Sequence, residues 1–192
     1  MFMPPEIDLN ALPDRFLEVA HAIRFILLDV DGILTDGRLH FDADGRELKS
    51  MHVHDASGIV HWSRAGHETG LLSGRRSRGI ADRADELGMT EVHLGKLDKL
   101  AVYEDLLARR GFDDSMMCYF GDDLLDIPVL ERVALPITVR QARPDVRKVC
   151  SYVTEAPAGF GAVREVIEVL LKLQGRYDAI LASDGRGPRS ST

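Results

Sequence analysis

A surplus of basic residues is the first thing this chain lacks: 24 lysines and arginines stand against 31 aspartates and glutamates, a net charge of −7 over 192 residues. That balance opposes nonspecific binding to DNA, RNA or anionic lipid, so neither nucleic acid nor membrane is an expected partner. An anionic ligand would need a local cation. Long apolar runs are missing too. The longest, such as Phe25–Leu28 and residues 169–171, fall far short of the roughly 18 residues a bilayer-spanning helix needs. The N-terminal stretch carries Glu6, Asp8 and Asp14 in place of a basic segment followed by an apolar one, so no secretory leader is expected and the protein is expected in the cytoplasm. Cysteine is scarce. Cys118 lies in an apolar run and Cys150 near a basic helix end, without metal-ligand spacing, which argues for buried thiols and against a disulfide framework or a zinc site. Internal repeats and low-complexity blocks are absent as well.

What is present is the composition of a folded protein, 45% hydrophobic and 29% charged, at a length that suits one domain. Apolar runs of strand length alternate with segments of helical period, the pattern of βαβ units. The spacing predicts a lead-in helix over 9–21 and a first strand over 24–31, then a hairpin over 38–55 around the turn Asp42-Ala-Asp44-Gly45. Helices are expected over 56–64, 77–87, 99–110, 125–132, 144–149 and 162–182. The intervening strands are expected over 68–72, 91–94, 116–120, 135–139 and 151–153, with Gly66, Gly88 and Gly111 punctuating helix ends. The expected fold is α/β: a single Rossmann-like three-layer domain around a central, mostly parallel sheet, with a small β-hairpin insertion. In such sheets ligands sit in the loops at the carboxyl ends of the strands.

Four of those loops carry chemistry. The first reads Asp29-Val-Asp31-Gly32-Ile-Leu-Thr35-Asp36-Gly37, where Gly32 lets the chain turn so that both acids can face one crevice. Another acidic loop, Gly121-Asp122-Asp123-Leu-Leu-Asp126, follows the strand over 116–120. Asp-Gly and Gly-Asp pairs are ordinary turn formers singly. Two acidic loops, each directly after an apolar strand, instead crowd like charges at one sheet edge and call for a hard cation, magnesium above all. A carboxylate beside such an ion can attack phosphorus, and Asp29 takes that role; Asp31, two residues on, can serve as general acid and base. Ser73 in Ser73-Gly-Arg75-Arg76 offers a hydroxyl to a phosphoryl oxygen. Lys99 sits in a first helical turn beside the N-cap residue Asp98, a position that opposes the helix dipole unless an anion is bound there.

Taken together, DxDG with a following threonine, Ser-Gly, lysine and GDDxxD, in that order, resemble the haloacid dehalogenase superfamily of aspartate-nucleophile phosphatases. Asp29-Val-Asp-Gly-Ile-Leu-Thr-Asp-Gly37, Ser73-Gly-Arg-Arg76, Asp98-Lys-Leu100, Gly121-Asp-Asp-Leu-Leu-Asp126 and Gly161-Ala-Val-Arg-Glu165 are similar to the 3-deoxy-D-manno-octulosonate 8-phosphate phosphatase family, over about residues 24–172. The resemblance implies Mg2+ held by Asp29, the Asp31 backbone carbonyl and Asp122, phosphate held by Ser73 and Lys99, and no cap domain. It further implies a homotetramer whose neighbouring subunit helps to close the site. The chain would divide into an N-terminal extension with a short helix (1–23), a phosphatase domain (24–182) and a flexible tail (183–192). Its substrate would be a small phosphorylated sugar acid, contacted by Asp31, Lys99, Arg75, Arg83 and the stretch His52-Val53-His54-Asp55-Ala56. There the sequence departs from the family, which usually has Asn-Val-Arg-Asp-Gly in that stretch and a further arginine where Val60 stands. A nine-carbon keto-deoxy sugar 9-phosphate is the alternative substrate. The spacing of His52, His54 and His61 matches no common ligand set, and they read as polar or titrating surface residues. A phospho-aspartate receiver also uses an acidic pair, a hydroxyl and a lysine, but it places its paired acids early and its phosphorylated aspartate at a middle strand. A catalytically silent binding protein on the same fold is disfavoured because every core position is filled.

Overall fold

The computed structural model describes residues 7–184 of the 192. Residues 9–11 form a single 3-10 turn, and helix α1 follows over Asp14–Val19. The one lead-in helix expected over 9–21 is thus two pieces, because Pro13 has no N–H to donate and holds Leu12 extended. Phe16 of α1 is fully buried and meets Tyr152 edge-on at 5.4 Å between ring centroids, a burial contributing roughly 1.5–3 kcal/mol. Strand β1 spans Phe25–Leu28, all four side chains buried. Strands β2 (His40–Phe41) and β3 (Glu47–Leu48) form the expected hairpin, with Asp42 closing its turn by accepting from the Asp44 and Arg46 N–H groups. Helix α2 runs over Val53–Arg64, three residues earlier than predicted, since the His52 ring accepts from the His54 N–H and caps it.

The remaining elements are β4 (Glu68–Ser73), α3 (Arg78–Glu86), β5 (Glu91–Leu94), α4 (Lys99–Arg110), β6 (Met117–Phe120), α5 (Ile127–Leu130), β7 (Leu135–Val139), α6 (Pro144–Val149), β8 (Tyr152–Thr154), α7 (Ala162–Leu173) and α8 (Tyr177–Asp184). Two predicted helices are interrupted. A 3-10 turn over Leu124–Asp126 replaces the start of the helix expected over 125–132. The helix expected over 162–182 breaks at Gly175, whose φ of +67° is a left-handed conformation that an L side chain adopts only at a cost. Ser183 and Asp184, expected in the tail, belong to α8; residues 1–6 and 185–192 lie outside the described residues.

Six strands build one parallel sheet in the order β5-β4-β1-β6-β7-β8. Helices α4, α5 and α6 pack in succession on one another, α2 packs on β4 and α3 on β5, and α7 returns to pack on α2. Close α2–α7 contact depends on Gly58, where a Cβ would lie 3.0 Å from Arg164 Cδ. The central strands are apolar on both faces, as a doubly covered parallel sheet requires. Chain order reverses at β1, which is flanked by β4 and β6, so the crevice beyond its carboxyl end is the topological switch point where α/β sheets bind ligands. Cys118 is buried and Cys150 half-buried; both are free thiols, and burial raises both above the usual thiol range. No helix among the described residues is long and apolar enough to cross a membrane.

Candidate active site

Strands β1, β4 and β6 deliver the predicted loops to that crevice. Asp29 leaves β1 with its N–H still donating to Phe120 O at 2.9 Å, so the sheet itself fixes its backbone. The chain then coils tightly over Val30–Leu34. Thr35 Oγ1 pins this coil by accepting from the Gly37 N–H at 3.3 Å, and Gly159 donates to Ile33 O at 2.9 Å from outside. Gly32 has φ +85°, and a Cβ there would overlap the Asp122 carboxylate. This glycine therefore sets how closely the two acidic loops approach, which the turn signal alone did not reveal.

Lys99 stands at the centre. It is 4% exposed, its ammonium 2.9 Å from Asp29 Oδ2 and 2.6 Å from Asp126 Oδ1. Its place at the start of α4 comes from Asp98, whose side chain accepts from the Ala101 N–H at 3.1 Å. Burial works against the charged ammonium, but the Asp29 and Asp126 carboxylates outweigh it and the lysine stays protonated. Asp126, fully buried, is saturated: Oδ1 accepts from Lys99 and the Tyr119 hydroxyl, and Oδ2 from the Asp122 and Asp123 N–H groups, each at 3.0 Å.

Asp29, Asp122 and Asp126 bring one carboxylate oxygen each within 4.8 Å of one another. Burial, joined by the Asp126 charge and countered by Lys99, pushes Asp29 up to about 6. Burial and then the charges of Asp29, Asp126 and Asp123 push Asp122 up to about 7. Two carboxyls so disfavoured as anions, side by side with hard oxygen donors, fit a divalent cation such as magnesium. With both of its oxygens engaged, Asp126 acts on the pair from behind instead of offering a free ligand atom.

A cavity of about 290 Å3 opens above these groups, walled by Asp29, Asp31, Ser73, Arg75, Lys99 and Asp122 among others. The structure therefore brings together the predicted nucleophile, acid/base, hydroxyl, lysine and second acidic loop. Ser73 is buried, its hydroxyl accepting from the Arg75 N–H at 3.2 Å. Arg75 reaches the cavity while bonding Glu47 at 2.6 Å.

The other expected substrate contacts lie elsewhere within the chain. Asp55 is fully buried, its carboxylate accepting from the Gly161 N–H at 3.0 Å and the Arg164 N–H at 2.9 Å, so it caps α7 and raises no ligand toward the cavity. Burial raises its pKa despite those bonds. Val53, Ala56 and Arg83 line a second recess of about 320 Å3 together with His61 and Arg64, and it shares no wall residue with the first. His52 caps α2 and stacks edge-on with His54 at 4.7 Å. His61 is buried, contrary to the surface reading, because it falls on the inward stripe of α2 with Trp62. Glu165 clamps the preceding loop by accepting from Tyr152, Glu155 and Ala156. Among residues the sequence reading left out of the site, Asp126 was visible as the third acid of its own motif. Glu47 and Lys49 of the hairpin gave no signal.

A family model described as haloacid dehalogenase-like hydrolase matches residues 86–167. The chain is 39% identical over 159 residues to the 3-deoxy-D-manno-octulosonate 8-phosphate phosphatase of Escherichia coli K12, covering 83% of this chain and 85% of that one. A crystal structure of that phosphatase from Moraxella catarrhalis, in complex with a magnesium ion, a phosphate ion and KDO, superposes with a TM-score of 0.86 at 34% identity, covering 89% of this chain and 98% of the other. The cobalt-bound Haemophilus influenzae phosphatase superposes with a TM-score of 0.81 at 35% identity, covering 87% and 98%.

Proposed function

The chain belongs to the 3-deoxy-D-manno-octulosonate 8-phosphate phosphatase family of haloacid dehalogenase-like hydrolases, and on that premise we propose that it hydrolyses 3-deoxy-D-manno-octulosonate 8-phosphate to KDO and phosphate. It is a phosphoric monoester hydrolase with magnesium as cofactor. The observation that carries this reading is the clustering of Asp29, Asp122 and Asp126 at the switch point of the sheet, with one buried, protonated lysine held by Asp29 and Asp126.

Asp29, Asp122 and the Asp31 backbone carbonyl would hold the ion, which when bound neutralises the two raised carboxyls and draws charge from a phosphoryl oxygen. Lys99 and Ser73 bind the other phosphoryl oxygens and balance the charge that accumulates in transfer. A carboxylate oxygen of Asp29 attacks phosphorus in line, the bond from phosphorus to the sugar oxygen breaks, and Asp31 gives its proton to that oxygen. Asp31 then takes a proton from water, whose oxygen attacks phosphorus and returns Asp29 as phosphate leaves. Arg75, at the cavity wall, is the cation placed for the sugar carboxylate. We further propose a cytoplasmic homotetramer, in which a neighbouring subunit supplies the recognition that His52, Val53, His54, Ala56 and Arg83 do not supply within their own chain; light scattering at micromolar protein tests the assembly.

The deciding experiment replaces Asp29 with Asn and measures phosphate release with magnesium from the eight-carbon sugar phosphate and its nine-carbon counterpart. Loss on the order of ten-thousandfold or more is expected with both. Full activity in D29N would remove the nucleophile from the reading. In the unaltered enzyme, a preference for the nine-carbon ester would move the substrate assignment and trace it to His54 and Val60.

A further inference from the structure

We propose that Lys49, on the hairpin, is a positioning residue that anchors one oxygen of Asp31 and leaves the other unpaired for the leaving group; the inference rests on the phosphatase reading above. Lysine is rarely buried, yet the Lys49 side chain is only 5% exposed, and its ammonium hydrogen-bonds Asp31 Oδ1 and forms an ion pair with Glu47 Oε1 at 2.7 Å. Glu47 is fixed in turn by Arg75 at 2.6 Å.

This arrangement makes the two oxygens of Asp31 unequal. Oδ1 is taken by Lys49. Oδ2 is buried and has no hydrogen-bond partner, the Arg75 Nε standing 3.8 Å away, outside bonding reach. A buried acceptor left unpaired costs about 1–3 kcal/mol, so native structures keep one where it has a use. Proton transfer supplies it: a general acid must bring its oxygen within about 2.6–3.2 Å of the receiving atom, and a carboxyl tethered by one oxygen is restrained from swinging away with the other. Lys49 itself does not wall the cavity, and its ammonium is already held between two carboxylates, which leaves it poorly placed as a phosphate ligand. Its effect on substrate must pass through Asp31.

In the first step the phosphorus to sugar-oxygen bond breaks as the Asp29 oxygen bonds to phosphorus, and the Oδ2 proton moves to the departing oxygen. A nitrophenyl ester needs no such proton, because nitrophenolate is a stable leaving anion. The ratio kcat/KM counts only steps up to departure of the leaving group, so it isolates this requirement from the later attack of water.

The test compares kcat/KM for the sugar phosphate and for p-nitrophenyl phosphate in K49M, with magnesium saturating. A fall of roughly 10- to 100-fold for the sugar ester, with the nitrophenyl ester nearly unchanged, is expected. K49R should restore part of the loss, and in a D31N background K49M should cost the sugar ester nothing more. Equal losses for both esters would mark Lys49 as a structural hairpin anchor and overturn the proposal, as would no loss. If K49M does not fold, the same two-ester comparison in K49Q decides. D29N separates the two readings: if it stays active the phosphatase reading fails, whereas a dead D29N beside an unselective K49M fails only this one.

Discussion

Buried acids meet cations at both ends of the sheet, with opposite results. At the carboxyl ends of β1 and β6, Asp29, Asp122 and Asp126 cluster with one buried lysine that pairs with Asp29 and Asp126, and burial with mutual repulsion raises Asp29 to about 6 and Asp122 to about 7. At the amino end of β5, Glu91 is almost as buried but meets Arg109 at 3.1 Å, Arg110 at 3.0 Å and His93 at 2.8 Å. Burial opposes its ionisation too, yet hydrogen bonds from Arg109, Arg110 and His93 prevail and pull Glu91 down to about 2. Arg110 also bonds Glu68, at the start of β4, at 2.6 Å. The difference is one of stoichiometry around the buried acid: Glu91 alone draws on two arginines, whereas Asp29 and Asp126 divide a single lysine.

Changing either ratio should break this contrast. The largest effect is expected from D126N. Replacing one carboxylate oxygen by an amide NH2 leaves buried donors of Lys99 and Tyr119, or of the Asp122 and Asp123 N–H groups, unmatched, which should lower kcat/KM and magnesium affinity by roughly 10- to 100-fold and lower the thermal unfolding temperature as well; steady-state kinetics against magnesium concentration measures the first. E91Q should spare the chemistry, losing about 1–3 kcal/mol in urea unfolding while phosphate release is unchanged. Its pH signature follows from a folded pKa below the unfolded one. The Glu91 contribution is fully present above the unfolded value of about 4.3 and disappears as pH falls toward about 2, and E91Q should lack that acid limb. The smallest effect belongs to R109A. Arg109 is 45% exposed and Arg110 remains behind it, so the loss should stay below about 1 kcal/mol and fade with added salt. A large activity loss in R109A or E91Q would show that the two ends are coupled.

The structural end was less legible in the sequence than the chemical one. Strand-end acids announce themselves, since Asp29 closes an apolar run and Asp31 and Asp122 each sit beside a glycine just beyond one. Alternating periods fixed the class and most element positions for the same reason: burial on both faces of a parallel sheet leaves a continuous apolar signature. Periodicity fails where a single residue decides. Pro13 and Gly175 each cut a helix whose apolar pattern runs on past them, and His61 follows the inward stripe of α2 although its side chain is polar. Asp55 was assigned by its place in a motif, but its partners are N–H groups of α7, far along the chain. Lys49 and Glu47 stayed hidden because the hairpin strands are two residues long, too short to show any alternation, and their meeting with Asp31 is a tertiary event.

Placing β1 between β4 and β6 also has a kinetic consequence. Leu28 pairs in register with Leu71 on one side and Phe120 on the other, partners that lie progressively later in the chain. Loop-closure entropy makes the pairing with β6 a late event in refolding, and until it occurs Asp29 and Asp122 have no common neighbourhood. After dilution from denaturant, helical circular dichroism should therefore return ahead of enzymatic turnover, and the lag between the two signals measures the closing of the sheet's centre.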